Sequence, residues 1–202
     1  MINTIIFDFG DVLINTDKAT TIQTLKKLGL KEWNTDLSKL TERFEKGKIT
    51  EAKFLSGFQK HIPNASLDDI RSAWRKFIAD FPLKRLEFLQ NISNNYRLFI
   101  LSNADMIHVD EFEYQAGSSF FGDFYRCFEK VYYSFEIGKR TPDSEAFSYV
   151  INKHDLSPKR TLFVDDKLEN IEAAKALGLK VWHLKVGEED VTELFSKKII
   201  RV

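Results

Sequence analysis

Three carboxylates and a hydroxyl stand where apolar runs of the chain stop. Asp8 ends "IIFD" and leads at once into Phe9, Gly10 and Asp11; Ser102 and Asn103 close "FILSN"; Asp165 and Asp166 close "TLFVDD". One acid or serine in such a place is ordinarily a turn former. Groups of this kind at the ends of three runs form a set, because the carboxyl ends of the strands of an open parallel sheet line one crevice. Carboxylates gathered there repel, and raise one another's pKa unless a cation sits among them. Oxygen-only ligands with room for water point to Mg²⁺. A carboxylate touching that ion is also a nucleophile for phosphorus. A serine hydroxyl, backbone N–H groups and a lysine would then hold the phosphoryl oxygens.

The elements that must position these residues are readable from spacing. Ile5, Ile6 and Phe7 read as a strand covered on both faces. Leu98 to Leu101 within "YRLFILSNA", and the stretches "KVYYS", "TLFVDD" and "KVWHL", are strand-like as well. Helical spacing separates them over Asp143 to His154 and Glu169 to Leu177, the latter stopped by Gly178. Strand and helix in alternation predict an α/β fold, a parallel sheet with helices on both faces. Between the first strand and the others, Lys18 to Phe81 carries mainly helical spacing: Ile22, Leu25, Leu28; Leu37, Leu40, Phe44; Phe54, Leu55, Phe58; Ile70, Trp74, Phe77, Ile78, Phe81. This predicts an all-helical insert of three or four helices. Thr50 ahead of Glu51, and Ser66 with Asp69 three residues on, are expected N-caps. Pro82 opens a further helix through Leu86 and Leu89 to Ile92. The expected organisation is a core of residues 1–16 and 82–202 with a helical insert over 17–81.

Composition excludes several classes of function. With 202 residues, 43% of them apolar, the chain can bury one full core with a smaller insertion. Thirty basic and thirty acidic residues cancel, so no global field draws the protein to nucleic acid or an anionic membrane, and a small molecule is the expected partner. Cys127 is the single cysteine and has no metal-ligand spacing around it; it is read as a buried thiol. No basic leader with an apolar stretch behind it opens the chain, and no run nears the roughly 18 apolar residues of a membrane span, so a reducing, cytoplasmic setting is expected. Phe120, Phe121, Phe124, Tyr125, Phe128, Tyr132, Tyr133 and Phe135 lack the basic stripe that nucleic-acid binding requires. They are expected to fill core in a monomer or homodimer.

The set "FDFGDVL", "LSNA", "GKRTPD" and "VDDKLENIEAAKALG", in that order, resembles the four motifs of the haloacid dehalogenase-like superfamily of hydrolases, over nearly the whole chain. The resemblance implies a Rossmann-like core, a helical cap inserted just after the first motif, and Mg²⁺-dependent phosphoryl transfer through an aspartyl-phosphate. Carried over by position, Asp8 resembles the nucleophile and a metal ligand, and Gly10 would give its backbone carbonyl to the metal. Asp166 matches the direct ligand, with Asp165 a direct or water-mediated partner and Asn170 orienting their loop. Ser102 and the Asn103 backbone N–H match the phosphate-binding pair, to which Gly10 and Asp11 would add N–H groups.

The chain departs from that pattern twice. Most phosphatases of the superfamily carry a second aspartate where this chain has Gly10, and that general acid typically contributes ~10²–10⁴-fold. A subgroup with glycine there, which includes sugar-phosphate phosphatases, is similar to this sequence; Asp11, Asp17 and His108 are candidate replacements. The family lysine directly precedes the proline, where Thr141 precedes Pro142 here. If the backbone is extended, period-two alternation puts Lys139 on the side of Thr141, and Lys139 is expected to reach the phosphate, ahead of Arg140. Three readings follow: a Mg²⁺-dependent phosphatase acting on a small phosphorylated metabolite such as a sugar phosphate; a binding or regulatory protein on a degraded hydrolase scaffold; and a metal-independent dehalogenase, against which Asp165 and Asp166 argue.

Overall fold

The computed structural model describes residues 1–197. The expected core range runs to 202, and residues 198–202 lie outside the described residues. Five strands form one parallel sheet: β1 (Thr4–Phe7), β4 (Arg97–Ser102), β5 (Lys130–Tyr133), β6 (Thr161–Asp165) and β7 (Lys180–His183), in spatial order β5-β4-β1-β6-β7. The central strand β1 is the first in sequence and is buried throughout, which is why it reads as an unbroken apolar run. Its alternate side chains serve two cores. Ile5 and Phe7 join Leu89, Ile100, Phe112, Val164 and Trp182 on one face, whereas Ile6 joins Phe99, Phe147, Phe163 and Ile171 on the other.

Helices α5 (Leu83–Ile92) and α6 (Met106–Arg126) supply the first face, and α8 (Ser144–Lys153) and α9 (Leu168–Ala176) the second; the single turn α7 (Ser134–Ile137) follows β5 directly. Asp105 caps α6 by accepting the His108 amide, and Gly117 breaks that helix with φ 74° and ψ 155°, a conformation that suits glycine. Its aromatic residues Phe112, Phe120, Phe121, Phe124 and Tyr125 pack into or against the first core. Cys127 is buried there, its thiol donates to the Asp123 carbonyl, and burial pushes its pKa up to about 11.

Four helices lie between β1 and α5: α1 (Lys18–Lys27), α2 (Thr35–Glu45), α3 (Glu51–Gln59) and α4 (Leu67–Arg75). Their apolar stripes close on a core of their own, with Leu25, Leu37, Phe44, Phe54, Phe58, Ile70 and Trp74 all buried. Thr50 caps α3, and Ser66 with Asp69 forms a reciprocal capping box on α4. The insert also contains what helical spacing does not convey. Ile78 and its neighbours are not a continuation of α4 but strand β3 (Ile78–Asp80), antiparallel to β2 (Asn15–Thr16). Pro82 disfavours helix at Phe81, and the Asp17 amide donating to Phe77 O at 2.8 Å ties the outgoing and returning chains together. No helix among the described residues is long and apolar enough to cross a membrane.

Candidate active site

The register of the sheet explains why residues so distant in sequence meet. Phe7 lies opposite Ile100 of β4 and Val164 of β6, so Asp8, Ser102 and Asp165 leave the sheet at the same edge. The Asp8 amide still donates to Val164 O at 2.9 Å, which holds its backbone to β6. Phe9 anchors the following turn edge-on against Phe112, ring centroids 5.0 Å apart. At Gly10 a Cβ would come within 3.3 Å of Thr16 Cγ2, a close approach that leaves little room for a side chain. Asp11 adopts φ 59° and its carboxylate accepts from the Thr16 amide (3.0 Å) and hydroxyl (2.8 Å), closing the loop.

One carboxylate oxygen from each of Asp8, Asp165 and Asp166 falls within 4.8 Å of the others. Asp165 is fully buried and committed on both sides: Oδ1 accepts the Lys167 amide at 2.7 Å and Oδ2 accepts Asn170 Nδ2 at 2.8 Å. Asp166 Oδ1 is buried with no hydrogen-bond partner. A buried carboxylate oxygen with no donor, beside two more carboxylates, is costly alone and is satisfied by a cation. Burial raises the pKa of all three acids; the charge of Asp8 adds to the rise at Asp165, while Lys167 opposes it at Asp8 and Asp166. The donor set is all oxygen and fits a hard dication such as Mg²⁺.

Ser102 is buried at the end of β4 beside Asp8, where its hydroxyl favours the ionised form of that acid. Ser134 Oγ meets both the amide and the carbonyl of Ala104 at 3.1 Å, which fixes the loop behind Ser102. The Asn103 side chain hooks Thr141 twice, Nδ2 donating to Thr141 O at 2.8 Å and Oδ1 accepting the Thr141 amide at 2.9 Å. A structural load therefore falls on this side chain, beyond the backbone role expected of the residue.

The basic residues are arranged differently from the sequence expectation. Lys139 Nζ stands 3.5 Å from Glu145 Oε2, and Arg140 pairs with Glu45 of α2 at 2.9 Å. The extended strand that period-two alternation assumes is absent: Lys139 and Arg140 lie in no regular element, and the chain turns at Thr141, with the Asp143 amide donating to Arg140 O at 3.0 Å. The ammonium beside Asp8 belongs to Lys167, 3.9 Å from Asp8 Oδ2. The charges of Asp8, Asp166, Asp165 and Glu45 hold its pKa above the ordinary lysine value, with Asp8 the main cause. Its place directly after "VDD", just ahead of the helical spacing, was the available signal; in the structure it is the N-cap residue of α9.

The three candidate replacement acids are committed elsewhere. Asp11 closes its own loop, and Asp17 caps α1 by accepting the Thr20 amide at 2.7 Å. His108 is stacked between Trp74 and Phe77, with Nδ1 3.0 Å from Asp105 Oδ2 and Nε2 3.1 Å from Trp74 O. Sequence reasoning overlooked Glu45, whose carboxyl, largely buried at the junction of the insert and the core, has its pKa raised by burial against the opposing charge of Arg140.

A Rossmann-like sheet whose central strand ends on a carboxylate facing an acidic pair places a ligand-binding crevice at the carboxyl ends of its strands. Residues 2–178 match the family described as haloacid dehalogenase-like hydrolase, and the chain belongs to that family. It is 28% identical over 207 residues to the D-ribitol-5-phosphate phosphatase of Bacteroides thetaiotaomicron, covering 96% of this chain and 97% of the relative. A sesquiterpene phosphatase of Aspergillus oryzae is 29% identical over 188 residues, 89% of this chain and 88% of the relative. Among solved structures, a haloacid dehalogenase family enzyme of B. thetaiotaomicron in complex with magnesium and inorganic phosphate superposes with a TM-score of 0.86 at 32% identity, covering 96% of this chain and all of the other.

Proposed function

We propose that the protein is a Mg²⁺-dependent phosphatase that hydrolyses a small phosphorylated metabolite, of the sugar- or polyol-phosphate kind, through an aspartyl-phosphate on Asp8. The observation that carries this reading is the donorless buried oxygen of Asp166 beside Asp8 and Asp165, with Ser102 alongside. Asp8, Asp166 and the Gly10 carbonyl would hold the ion, with Asp165 a direct or water-mediated partner. When bound, Mg²⁺ would supply positive charge that offsets the repulsion between a carboxylate and a phosphate ester.

The chain's own residues carry the steps. Asp8 attacks phosphorus in line as the bond to the leaving oxygen breaks, and that oxygen takes up a proton from water to leave as the alcohol. Ser102 and the N–H groups of Asn103, Gly10 and Asp11 hold the equatorial oxygens. Water then attacks the phosphorus of the acyl phosphate, releasing phosphate and restoring Asp8. Residues 17–81 would act as a cap that excludes bulk water and selects the leaving group, with Glu45 at its seam with the core. The names of the two phosphatase relatives and the magnesium and phosphate in the similar structure support the same chemistry.

The commitment of Asp11, Asp17 and His108 favours a second reading, a weakly active binding or regulatory protein. Phosphate release from p-nitrophenyl phosphate, D-ribitol 5-phosphate and a panel of sugar phosphates, with Mg²⁺ and with EDTA, decides between them. Turnover that requires Mg²⁺ supports the phosphatase; silence across the panel supports the second reading. Halide release from a haloacid in EDTA would instead mark a dehalogenase.

A further inference from the structure

We infer that Lys167, carried on the same loop as the acidic pair, supplies the fixed positive charge that binds the transferred phosphoryl group, and that Lys139 has no part in it. The inference rests on the phosphatase reading and assigns a residue within it. Four observations lead there. Lys167 Nζ stands 3.9 Å from Asp8 Oδ2, too far for a hydrogen bond and close enough for strong attraction in a buried setting. An ammonium has three donors, and that spacing leaves them available to an oxygen arriving at the nucleophile.

The root of the side chain is fixed from both directions. The Lys167 amide donates to Asp165 Oδ1 at 2.7 Å, and its carbonyl accepts the amides of Asn170 and Ile171 at 3.1 and 3.2 Å. Its side chain is half exposed whereas Asp8 beside it is buried, so the ammonium is reachable from solvent. The position ahead of Pro142 offers no alternative: Thr141 is buried and uncharged, and Asn103 grips its backbone on both sides. Lys139 and Arg140, the remaining cations of that segment, face Glu145 and Glu45.

Placing the cation next to Asp166 has a consequence. Metal ligand and phosphate-binding ammonium share one loop, pinned by Asn170 through Asp165, so their separation is set locally and does not depend on how the segment after β5 is held.

Lys167→Met, Lys167→Gln, Lys167→Arg and Lys139→Ala are compared with wild type in saturating Mg²⁺. The readouts are kcat/KM for p-nitrophenyl phosphate, the inhibition constant of inorganic phosphate, and circular dichroism to verify folding. Loss of a charged contact to the transferring group predicts a fall of ~10²–10³-fold for the Met and Gln variants. Phosphate inhibition weakens by about tenfold or more in the same variants, as expected for a charge-assisted hydrogen bond. Arginine restores part of the loss, since it keeps the charge and changes the geometry. Lys139→Ala stays within about threefold of wild type, as a surface substitution does. A folded Lys167→Gln with wild-type kinetics and wild-type phosphate affinity overturns the inference, as does a loss in Lys139→Ala comparable to that predicted for Lys167. If wild type releases no phosphate, the phosphatase reading fails separately. Calorimetric binding of inorganic phosphate then still tests Lys167, with weaker binding in Lys167→Met supporting the assignment and equal binding refuting it.

Discussion

The buried side chains of the helical insert are aliphatic and aromatic almost throughout: Phe44 and Phe54 stack with centroids 4.2 Å apart, and Phe58 and Trp74 pack on Phe54 at 5.4 and 5.0 Å. At the carboxyl edge of the sheet the buried side chains are Asp8, Ser102, Asp165 and Asn170. The first set gains free energy from burial. The second loses it, because desolvated carboxylates face one another and one oxygen has no donor. The insert's core is closed by its own apolar side chains, whereas under the proposed function the sheet edge would be completed by a cation. The two meet where Arg140 pairs with Glu45, and where the ring of Trp74 donates to Asp105 at 2.9 Å.

Mutation should separate the two regions by sign. Asp8→Asn is expected to abolish phosphate release, by about 10⁴-fold or more as for loss of other nucleophiles. In EDTA the same variant melts higher than wild type, because one of three repelling carboxylates is gone. Stability unchanged or lowered in a thermal melt would count against the repulsion described for the sheet edge. Phe54→Ala in the insert should act in the opposite sense, costing about 3–5 kcal/mol of stability in a denaturant titration.

The pH dependence of the metal-free protein sharpens the contrast further. The folded pKa values of Asp8, Asp165 and Asp166 lie above the unfolded value of 3.8, so the folded chain holds protons that the unfolded chain has released. That contribution is fully present below the unfolded pKa and is lost as pH rises through the folded values. Melting temperature in EDTA should therefore fall from mildly acidic to mildly alkaline buffer, and the rise produced by Mg²⁺ should be larger at the alkaline end. The smallest effect belongs to the insert's surface: Ser66→Ala removes the capping box of α4 and should cost about 1 kcal/mol with phosphate release unchanged.

Much of the sheet was readable because buried parallel strands are apolar runs with abrupt ends, and those ends carry Asp8, Ser102, Asp165 and Asp166. The helical character of the insert was readable from its stripes, as three or four helices, and the starts of α3 and α4 from their caps. What spacing could not convey was local. Strands β2 and β3 have two and three residues, too few for any period, and are set by pairing between chain segments distant in sequence. Lys139 lies in irregular backbone just ahead of a turn closed by the Asp143 amide, and the position of Lys167 depends on contacts of its backbone with Asp165 and Asn170. Glu45 carries no motif at all; it is visible only once α2 is docked beside Arg140.

The central claim is that Asp8 carries the phosphoryl group beside a cation shared with Asp166. A crystal soaked with Mg²⁺ and beryllium fluoride tests it most directly. The account predicts a trifluoroberyllate bonded to an Asp8 carboxylate oxygen, with a metal ion touching both Asp8 and Asp166. An ion held away from Asp8, or fluoroberyllate absent from it while Mg²⁺ is bound, would contradict the account.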